Sequence, residues 1–371
     1  MTESMRVLQL LPALNSGGVE RGTLEIAQAL VSSGHDARVM SAGGRFVPEL
    51  ERLGAQHITR PIGRKAPATL AQIPRLAKTL RQNPVDIVHA RSRLPAWVAW
   101  LAIRMLPSGR RPHFVTTLHG LHSVNAYSAI MTRGERVIAV SETVRDYIIS
   151  NYPKADPRRV RVIYRGIDPD QFHPEFSPSQ QWLEQWGQDY PQLKNRFIVT
   201  LPGRITRLKG HLDWLKVIRT LRDRIPGLAA LVVGDTDPGK QDYAREVRRR
   251  VIELKLQDTV VFTGHRSDMR EIYAISDVVC STSTKPEAFG RTTLEALALG
   301  RPVVGWNQGG VGELLSELFP EGAVPTGDNA AMAKAIQAIF HGQVSPVRRN
   351  EIFLLKNMQQ QTLTLYRELL G

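Results

Sequence analysis

The stretch from Ser283 to Gly312, STKPEAFGRTTLEALALGRPVVGWNQGGVG, allows few backbone paths. Pro286 disfavours helix at Lys285 and sets φ for a turn. Gly290 permits a tight backbone approach just before a helix begins. Thr292 or Thr293 supplies the cap, and Leu294, Leu297 and Ala298 give the helix one buried stripe. Gly300 ends it, and Arg301-Pro302 lead into a strand over Val303 to Trp306. Loop, helix and buried strand in that order are one step of an α/β sheet. Two carboxylates ride on it, Glu287 on the loop and Glu295 inside the helix, with seven residues between them. The loop leaves the carboxyl end of a strand at Asp277 to Ser281, the edge where open α/β sheets bind ligands. Backbone N–H groups around Phe289 to Thr292 point at the helix N-terminus and suit an anion.

A lone E-x7-E reads equally well as two surface carboxylates on an ordinary βα unit. Here Phe-Gly follows the first Glu, Ala follows the second, and Gly-x-Pro-Val-Val closes the element. In that setting the stretch is similar to the retaining glycosyltransferases of family four. The resemblance covers nearly the whole chain, most specifically Gly203 to Gly210 and Glu287 to Pro302. It implies the α/β GT-B fold, two Rossmann-like domains facing across a cleft, with a nucleotide sugar held mostly by the second.

Composition agrees with two domains. The chain has 371 residues, 42% hydrophobic and 23% charged, as in an ordinary soluble globular protein. Its one cysteine, Cys280, excludes an internal disulfide framework and fits a reducing compartment. No secretory signal is expected, since Met1 to Met5 is short and polar, and with no segment approaching 18 apolar residues no membrane span is expected. The net charge of +14 is uneven. Residues 1–172 hold 24 Lys/Arg against 13 Asp/Glu, and the rest hold 25 against 22. Between Glu51 and Glu135 the only carboxylate is Asp86, against 13 basic residues. Such a field suits an anionic partner. Nucleic acid is not expected, because no basic-aromatic platform, helix-turn-helix or zinc pattern accompanies the charge.

The first half begins with a strand at Arg6 to Leu11, then Gly17-Gly18-Val-Glu20 opening a helix near Val19 to Ser33, then a strand at Ala37 to Ser41. The glycine pair lets backbone lie against a ligand at a helix N-terminus. No G-x-G-x-x-G is present and no acid closes the second strand, which excludes the usual dinucleotide fingerprint. The resemblance puts Gly17, Gly18 and Glu20 in the cleft, near donor phosphates or acceptor. Pro74 to Leu80 reads equally as an interfacial amphipathic helix or as an ordinary surface helix. His89 ends another strand and is either a cleft residue or a structural imidazole. His119, followed by Gly120 at the end of the strand Phe114 to Leu118, matches a family histidine near donor sugar and acceptor, with His122 as its neighbour. Ser141-Glu142 caps a helix, and Arg145 in that element adds positive charge at the cleft. Arg165-Gly166 stands where the family commonly has Asn-Gly. Arg165 is therefore either structural or a reader of acceptor charge. The first domain is expected over 1–172 and an interdomain linker with a loose helix over 173–194.

The second domain, expected over 195–350, opens with a strand and then Gly203-Arg204-Ile-Thr-Arg207-Leu-Lys209-Gly210. Gly203 lets the chain turn close to a phosphate, and Arg204 and Lys209 bring two cations to a helix N-terminus. The resemblance assigns that pair to the donor diphosphate, Gly264, His265 and Arg266 to the nucleobase, and Phe289, Gly290, Arg291 and Thr292 to the donor. It gives Glu295 the ribose and Glu287 the sugar hydroxyls. Gly309-Gly310 resembles a supporting glycine turn. The terminal helix, 351–371, is expected to return to the first domain.

The chemistry implied needs a good leaving group more than a strong base. The catalytic candidates are Glu287, His119, Arg204 and Lys209. The resemblance implies no cofactor and no essential metal, and the sequence agrees, since it has no His/Cys cluster and Asp235-Thr-Asp237 matches D-x-D only by letters. UDP-sugars are the commonest donors of the family, with GDP-mannose and ADP-heptose as alternatives. A lipid-linked or lipopolysaccharide-type acceptor and an anionic membrane surface are the expected partners, at the inner face of the cell membrane. Rival readings are a non-catalytic GT-B partner in a membrane glycan complex and a basic nucleic-acid-binding protein.

Overall fold

The computed structural model describes residues 4–15, 17–236, 239 and 241–371. The chain divides into two compact units, Met1–Gly166 with Leu355–Gly371, and Ile167–Leu354. Each is a wholly parallel sheet with helical crossovers, as alternating strand and helix signals require.

In unit 1 the strands are β1 (Arg6–Leu10), β2 (Asp36–Ser41), β3 (Gln56–Thr59), β4 (Ile87–Ala90), β5 (His113–Leu118), β6 (Arg136–Ala139) and β7 (Val160–Val162). The helices are α1 (Gly18–Ser32), α2 (Val47–Arg52), α3 (Gln72–Gln82), α4 (Arg93–Arg104) and α5 (Glu142–Asn151). Strand order is β3-β2-β1-β4-β5-β6-β7, so the order reverses between β1 and β4. Leu8 lies between Arg38 on one side and Val88 on the other. Strands covered on both faces are buried along their length, as β1 (RVLQL) beyond Arg6 and β4 (IVHA) are, with Gln9 and His89 the polar residues taken inside.

Unit 2 repeats the plan. It contains α6 (Gln180–Asp189), β8 (Phe197–Pro202), α7 (His211–Arg222), β9 (Leu228–Val233), α8 (Asp242–Glu253), β10 (Val260–Gly264) and α9 (Met269–Ala274). Then follow β11 (Val278–Ser281), α10 (Arg291–Ala298), β12 (Val303–Trp306), α11 (Gly309–Leu318), β13 (Ala323–Val324) and α12 (Asn329–Phe340). The order is β10-β9-β8-β11-β12-β13, with the reversal between β8 and β11. Period-two alternation splits the sheet's side chains between two cores. Val199, Leu201, Ala230 and Val232 pack with Trp214 on one face. Ile198, Ala229, Leu231 and Val233 pack with Trp186 on the other.

That second core corrects the expected linker over 173–194. Trp186 is buried, stacked on Trp182 at 5.0 Å and tilted against Tyr190 at 4.4 Å. Trp182 also donates to Asp268 at 2.8 Å. An aromatic-rich segment that can cover an open sheet face is driven onto it by the hydrophobic effect. Unit 2 is entered at Ile167 and left at Leu354, and these two residues form a β-bridge.

The last helix, α13 (Leu355–Leu370), belongs to unit 1 and packs on α1. Met358, Leu365 and Tyr366 enter the unit 1 core. The Tyr366 hydroxyl lies 2.6 Å from His89 Nδ1, and His89 Nε2 lies 2.6 Å from Thr117 Oγ1. These groups sit at zero or near-zero exposure, where a lost partner costs the full desolvation of the group left behind. Tyr366→Phe should therefore lower the stability of unit 1 by about 1–3 kcal/mol, read as a shift in the urea midpoint by tryptophan-independent far-UV circular dichroism. An unchanged midpoint would show that His89 finds another partner.

Candidate active site

Two constellations sit at the carboxyl edges of the sheets, one in each unit, at or beside the points where strand order reverses. Such points leave a crevice because the loops on either side run to opposite faces of the sheet.

In unit 2 the loops after β8, β9 and β11 lie backbone to backbone. Gly210 has φ 68°, and a Cβ there would stand 1.9 Å from the Thr282 carbonyl oxygen. A Cβ on Gly234 would stand 2.1 Å from the Gly203 oxygen. No larger residue fits these contacts. The Thr282 hydroxyl donates to the Lys209 carbonyl at 2.8 Å, and Thr284 N–H donates to the Leu208 carbonyl at 2.7 Å. The loop holding Lys209 is thereby stitched to the loop leading to Glu287.

Lys209 Nζ donates to Glu287 Oε1 at 2.7 Å, with about a fifth of each side chain exposed. The Ser283 hydroxyl donates to the same oxygen. Gln308 Nε2 holds the Ser283 carbonyl at 2.7 Å, and Gly310 N–H holds the Glu287 carbonyl at 2.8 Å. Gly309 and Gly310 run so close that Cβ atoms would fall 2.6 Å from the Glu287 oxygen and 2.4 Å from Phe289 Cα. Burial pushes the Glu287 carboxyl up, but the Lys209 charge and the hydrogen bonds from Lys209 and Ser283 outweigh it and leave it below its ordinary range. Glu287 is thus an anion held in one place. Pattern alone did not mark Ser283 or Gln308, because each acts through a contact made by folding.

Glu295 lies within α10, where Arg291 Nε donates to it at 3.1 Å. Burial and then the charge of Glu295, with its hydrogen bond, push the neighbouring Tyr273 hydroxyl well up. The cap of α10 is Gly290 in the left-handed region, not Thr292 or Thr293 as the sequence suggests. Thr293 is buried and cannot turn outward. The Phe289 ring is core, packed at 6.1 Å from Phe353, so any part it takes in ligand binding falls to its backbone. Arg204 is exposed beside Gly203. Gly264 ends β10 at φ 72° and His265 is exposed, while Arg266 is bound to Asp268 at 2.9 Å and lies over Trp186.

In unit 1 the Gly17 backbone, at φ 129°, closes onto Glu20, whose carboxylate would stand 2.8 Å from a Cβ there. The Arg165 guanidinium is buried and donates to the Gly18 carbonyl. It lies where a Cβ on Gly22 would be, at 2.0 Å. The Arg-for-Asn departure at 165 thus explains a glycine inside α1, which costs about 1 kcal/mol against alanine. Burial raises the Glu20 carboxyl, against opposition from its own backbone N–H and Arg165. His119 stands just past β5, with its Nε2 buried and without a hydrogen-bond partner. Burial, then the charges of Arg165 and Arg91, hold His119 well below its ordinary range, so it is neutral at pH 7.

Two expected cleft residues do not join this group. His89 is fully buried within the Tyr366–Thr117 network, because it points into the core from a strand covered on both faces. Arg145 is exposed on α5 and paired to Glu142 at 3.0 Å. Cys280 is buried, its thiol pushed up to about 12, and is no nucleophile. Among the described residues no three His, Cys, Asp or Glu side chains are grouped so as to hold a metal ion, and Asp237 of the D-x-D letters lies outside them.

The pattern of Glycosyltransferase Family 4 matches residues 16–171, and that of Glycosyl transferases group 1 matches residues 184–352. A glycosyltransferase of Rickettsia africae has a solved structure similar to this one, with 32% identity, a TM-score of 0.82 and 99% of each chain covered. The α-maltose-1-phosphate synthase of Mycolicibacterium smegmatis is 30% identical over 70% of each chain. HepE of Anabaena, solved in complex with UDP and glucose, shares the fold with 24% identity and a TM-score of 0.77 over 98% of this chain and 99% of its own.

His211, the first residue of α7, follows directly on Gly210 and is 1% exposed. Burial and the nearby Lys209 charge lower it to about 4. As pH falls from 6.5 toward 4, the unfolded chain takes up a proton that the folded chain refuses, so stability drops. The loss should reach about 3 kcal/mol below pH 4. His211→Phe, which keeps the ring packed on Tyr243, should flatten the stability profile between those pH values. Superimposable profiles for variant and parent would refute the assignment.

Proposed function

This chain is a member of the family-four and group 1 glycosyltransferases, and from that membership we propose that it moves a sugar from a UDP-sugar to a membrane-associated anionic glycan. The observation that carries the reading is the Lys209–Glu287 pair, held by glycine contacts at the reversal point of the unit 2 sheet. A diphosphate placed there meets Lys209, Arg204 and the N-terminus of α10. Glu295 takes the ribose hydroxyls, and Glu287 takes sugar hydroxyls while keeping Lys209 oriented. The backbone after Gly264 meets the base.

In the transfer, the bond from the anomeric carbon to the diphosphate oxygen breaks, and a bond to the acceptor oxygen forms on the same face. The acceptor proton leaves with the departing phosphate. Charge grows on that phosphate in the transition state, and pre-positioned cations stabilise it without reorganisation. Arg204 and Lys209 supply that charge, so the reading asks for no metal. His119, neutral and with a buried ring nitrogen to satisfy, contacts sugar or acceptor hydroxyls. Glu20 and Arg165 shape the acceptor side. The basic surface of residues 52–134 favours an anionic acceptor such as a lipopolysaccharide core, with the protein peripheral on the inner face of the membrane. Among the described residues no helix is long and apolar enough to cross a membrane.

A nucleotide at a hundred times its Kd adds about 2.7 kcal/mol to stability, a shift of a few degrees in Tm for a protein of this size. UDP should produce that shift in the parent and in Glu287→Gln, but not in Lys209→Met. Glu287→Gln should lower turnover of a UDP-sugar by roughly 10²–10³. Full turnover in Glu287→Gln would remove Glu287 from the mechanism. Equal shifts in Lys209→Met and parent would remove the diphosphate from Lys209.

A further inference from the structure

Unit 1 has an apolar pocket of about 280 Å³ between the segment 64–73 and α4. Its lining includes Leu70, Ile73, Leu94, Trp97, Leu101 and Tyr127. Two of the polar groups along its wall are already committed. Trp97 Nε1 donates to the Tyr127 carbonyl at 2.9 Å, and the Thr69 hydroxyl donates to the Arg64 carbonyl. A sugar would find few partners for its hydroxyls there, and the site suits hydrocarbon.

The pocket opens on an unusual surface. Leu70 is 67% exposed, more than any other large apolar side chain among the described residues, and Tyr127 is 38% exposed. On α4, the partly exposed Leu94, Trp97, Trp100, Leu101 and the exposed Arg104 fall at spacings of three and four, one stripe of the helix. Cations cover its aromatic rings: Arg93 lies over Tyr127 at 5.3 Å, and Arg104 and Arg133 lie over Trp100 at 4.7 and 5.0 Å. Arg64 and Lys65 stand exposed on the rim and make no ion pair among the described residues. The one carboxylate between Glu51 and Glu135, Asp86, is taken by Arg6 at 2.6 Å. Exposed aliphatics, half-wet tryptophans and unneutralised arginines are what a protein presents to a bilayer interface.

We propose that this pocket seats one hydrocarbon chain of an anionic membrane lipid, whose phosphate is met by Arg64, Lys65 and Arg93. Leu70 and the Trp97–Trp100 stripe enter the headgroup boundary, and the cations gather anionic lipid over them. This deepens the proposed membrane-associated acceptor by naming the surface that docks, and it rests on that reading only for its biological purpose.

The test uses the full chain and vesicles of phosphatidylcholine with or without phosphatidylglycerol. Binding is expected to the anionic vesicles and not to the neutral ones, with weakening as salt rises. Bromine on the acyl chains should quench tryptophan fluorescence of the bound protein. Trp97→Phe/Trp100→Phe should abolish the quenching, because the other four tryptophans lie in unit 2. Leu70→Asp, at an exposed position that leaves the fold intact, should weaken vesicle binding about tenfold or more. The proposal fails if the protein ignores anionic vesicles, if it binds without quenching, or if Leu70→Asp binds as the parent does. The UDP shift, read on the same Leu70→Asp sample, separates the two failures: retained with lost docking, it supports this surface and leaves the donor site standing. A missing UDP shift beside intact, quenched vesicle binding would sink the donor reading and keep the docking surface.

Discussion

The contact between the Gly210 backbone and the Thr282 carbonyl sets the geometry of everything around it. It brings the loop after β8 against the loop after β11, the two that flank the reversal of strand order. Only with those loops in contact can Lys209 reach Glu287, and only then does Ser283 add its hydroxyl to the same carboxylate oxygen. A largely buried ion pair is a weak source of stability, since desolvation offsets most of its attraction. Its value here is orientation. Two opposite charges hold one another in place, so that this edge presents a preformed surface rather than two mobile side chains.

Unit 1 solves a related problem with different residues. Arg165 carries a buried positive charge to the Gly18 carbonyl, and α1 accommodates it by having glycine at position 22. The same charge helps keep His119 and His89 neutral. Below them His89, Thr117 and Tyr366 form a closed polar chain that ties α13 to the sheet. A buried network of this kind is specific because each member would be costly to leave unpaired. It also explains why a histidine at a strand end need not face a ligand: β4 is covered on both sides, and His89 turns inward.

Much of this was legible before the fold was known. The E-x7-E element, the Gly203-to-Gly210 loop and the glycine pair at Gly17-Gly18 each combine residues that permit close backbone approach with residues that carry charge. Strand and helix periods gave the alternating plan of both units. Three features were not legible. The segment 173–194 reads as a linker because Pro, Ser and Gln dominate it, yet Trp182, Trp186 and Tyr190 stack into the second core of unit 2. Thr292 and Thr293 look like caps, but Gly290 takes that position in the left-handed region. Ser283 and Gln308 look like ordinary polar loop residues until the glycine turn at Gly309-Gly310 brings them beneath Glu287.

Local and periodic features are already written in the chain: the α/β class, the parallel strands, the family, and the charges at Arg204, Lys209, Glu287 and Glu295. These depend on side-chain period, on turn residues and on charges only a few positions apart. Folding settles which charges are paired, which histidines are buried and which glycines are compelled. Lys209 and Glu287 are 78 residues apart, and His89 and Tyr366 are 277 apart. Contacts across such separations have no periodic trace in the chain. They arise because parallel crossovers return distant strand ends to one edge of a sheet, and close packing there admits only certain partners.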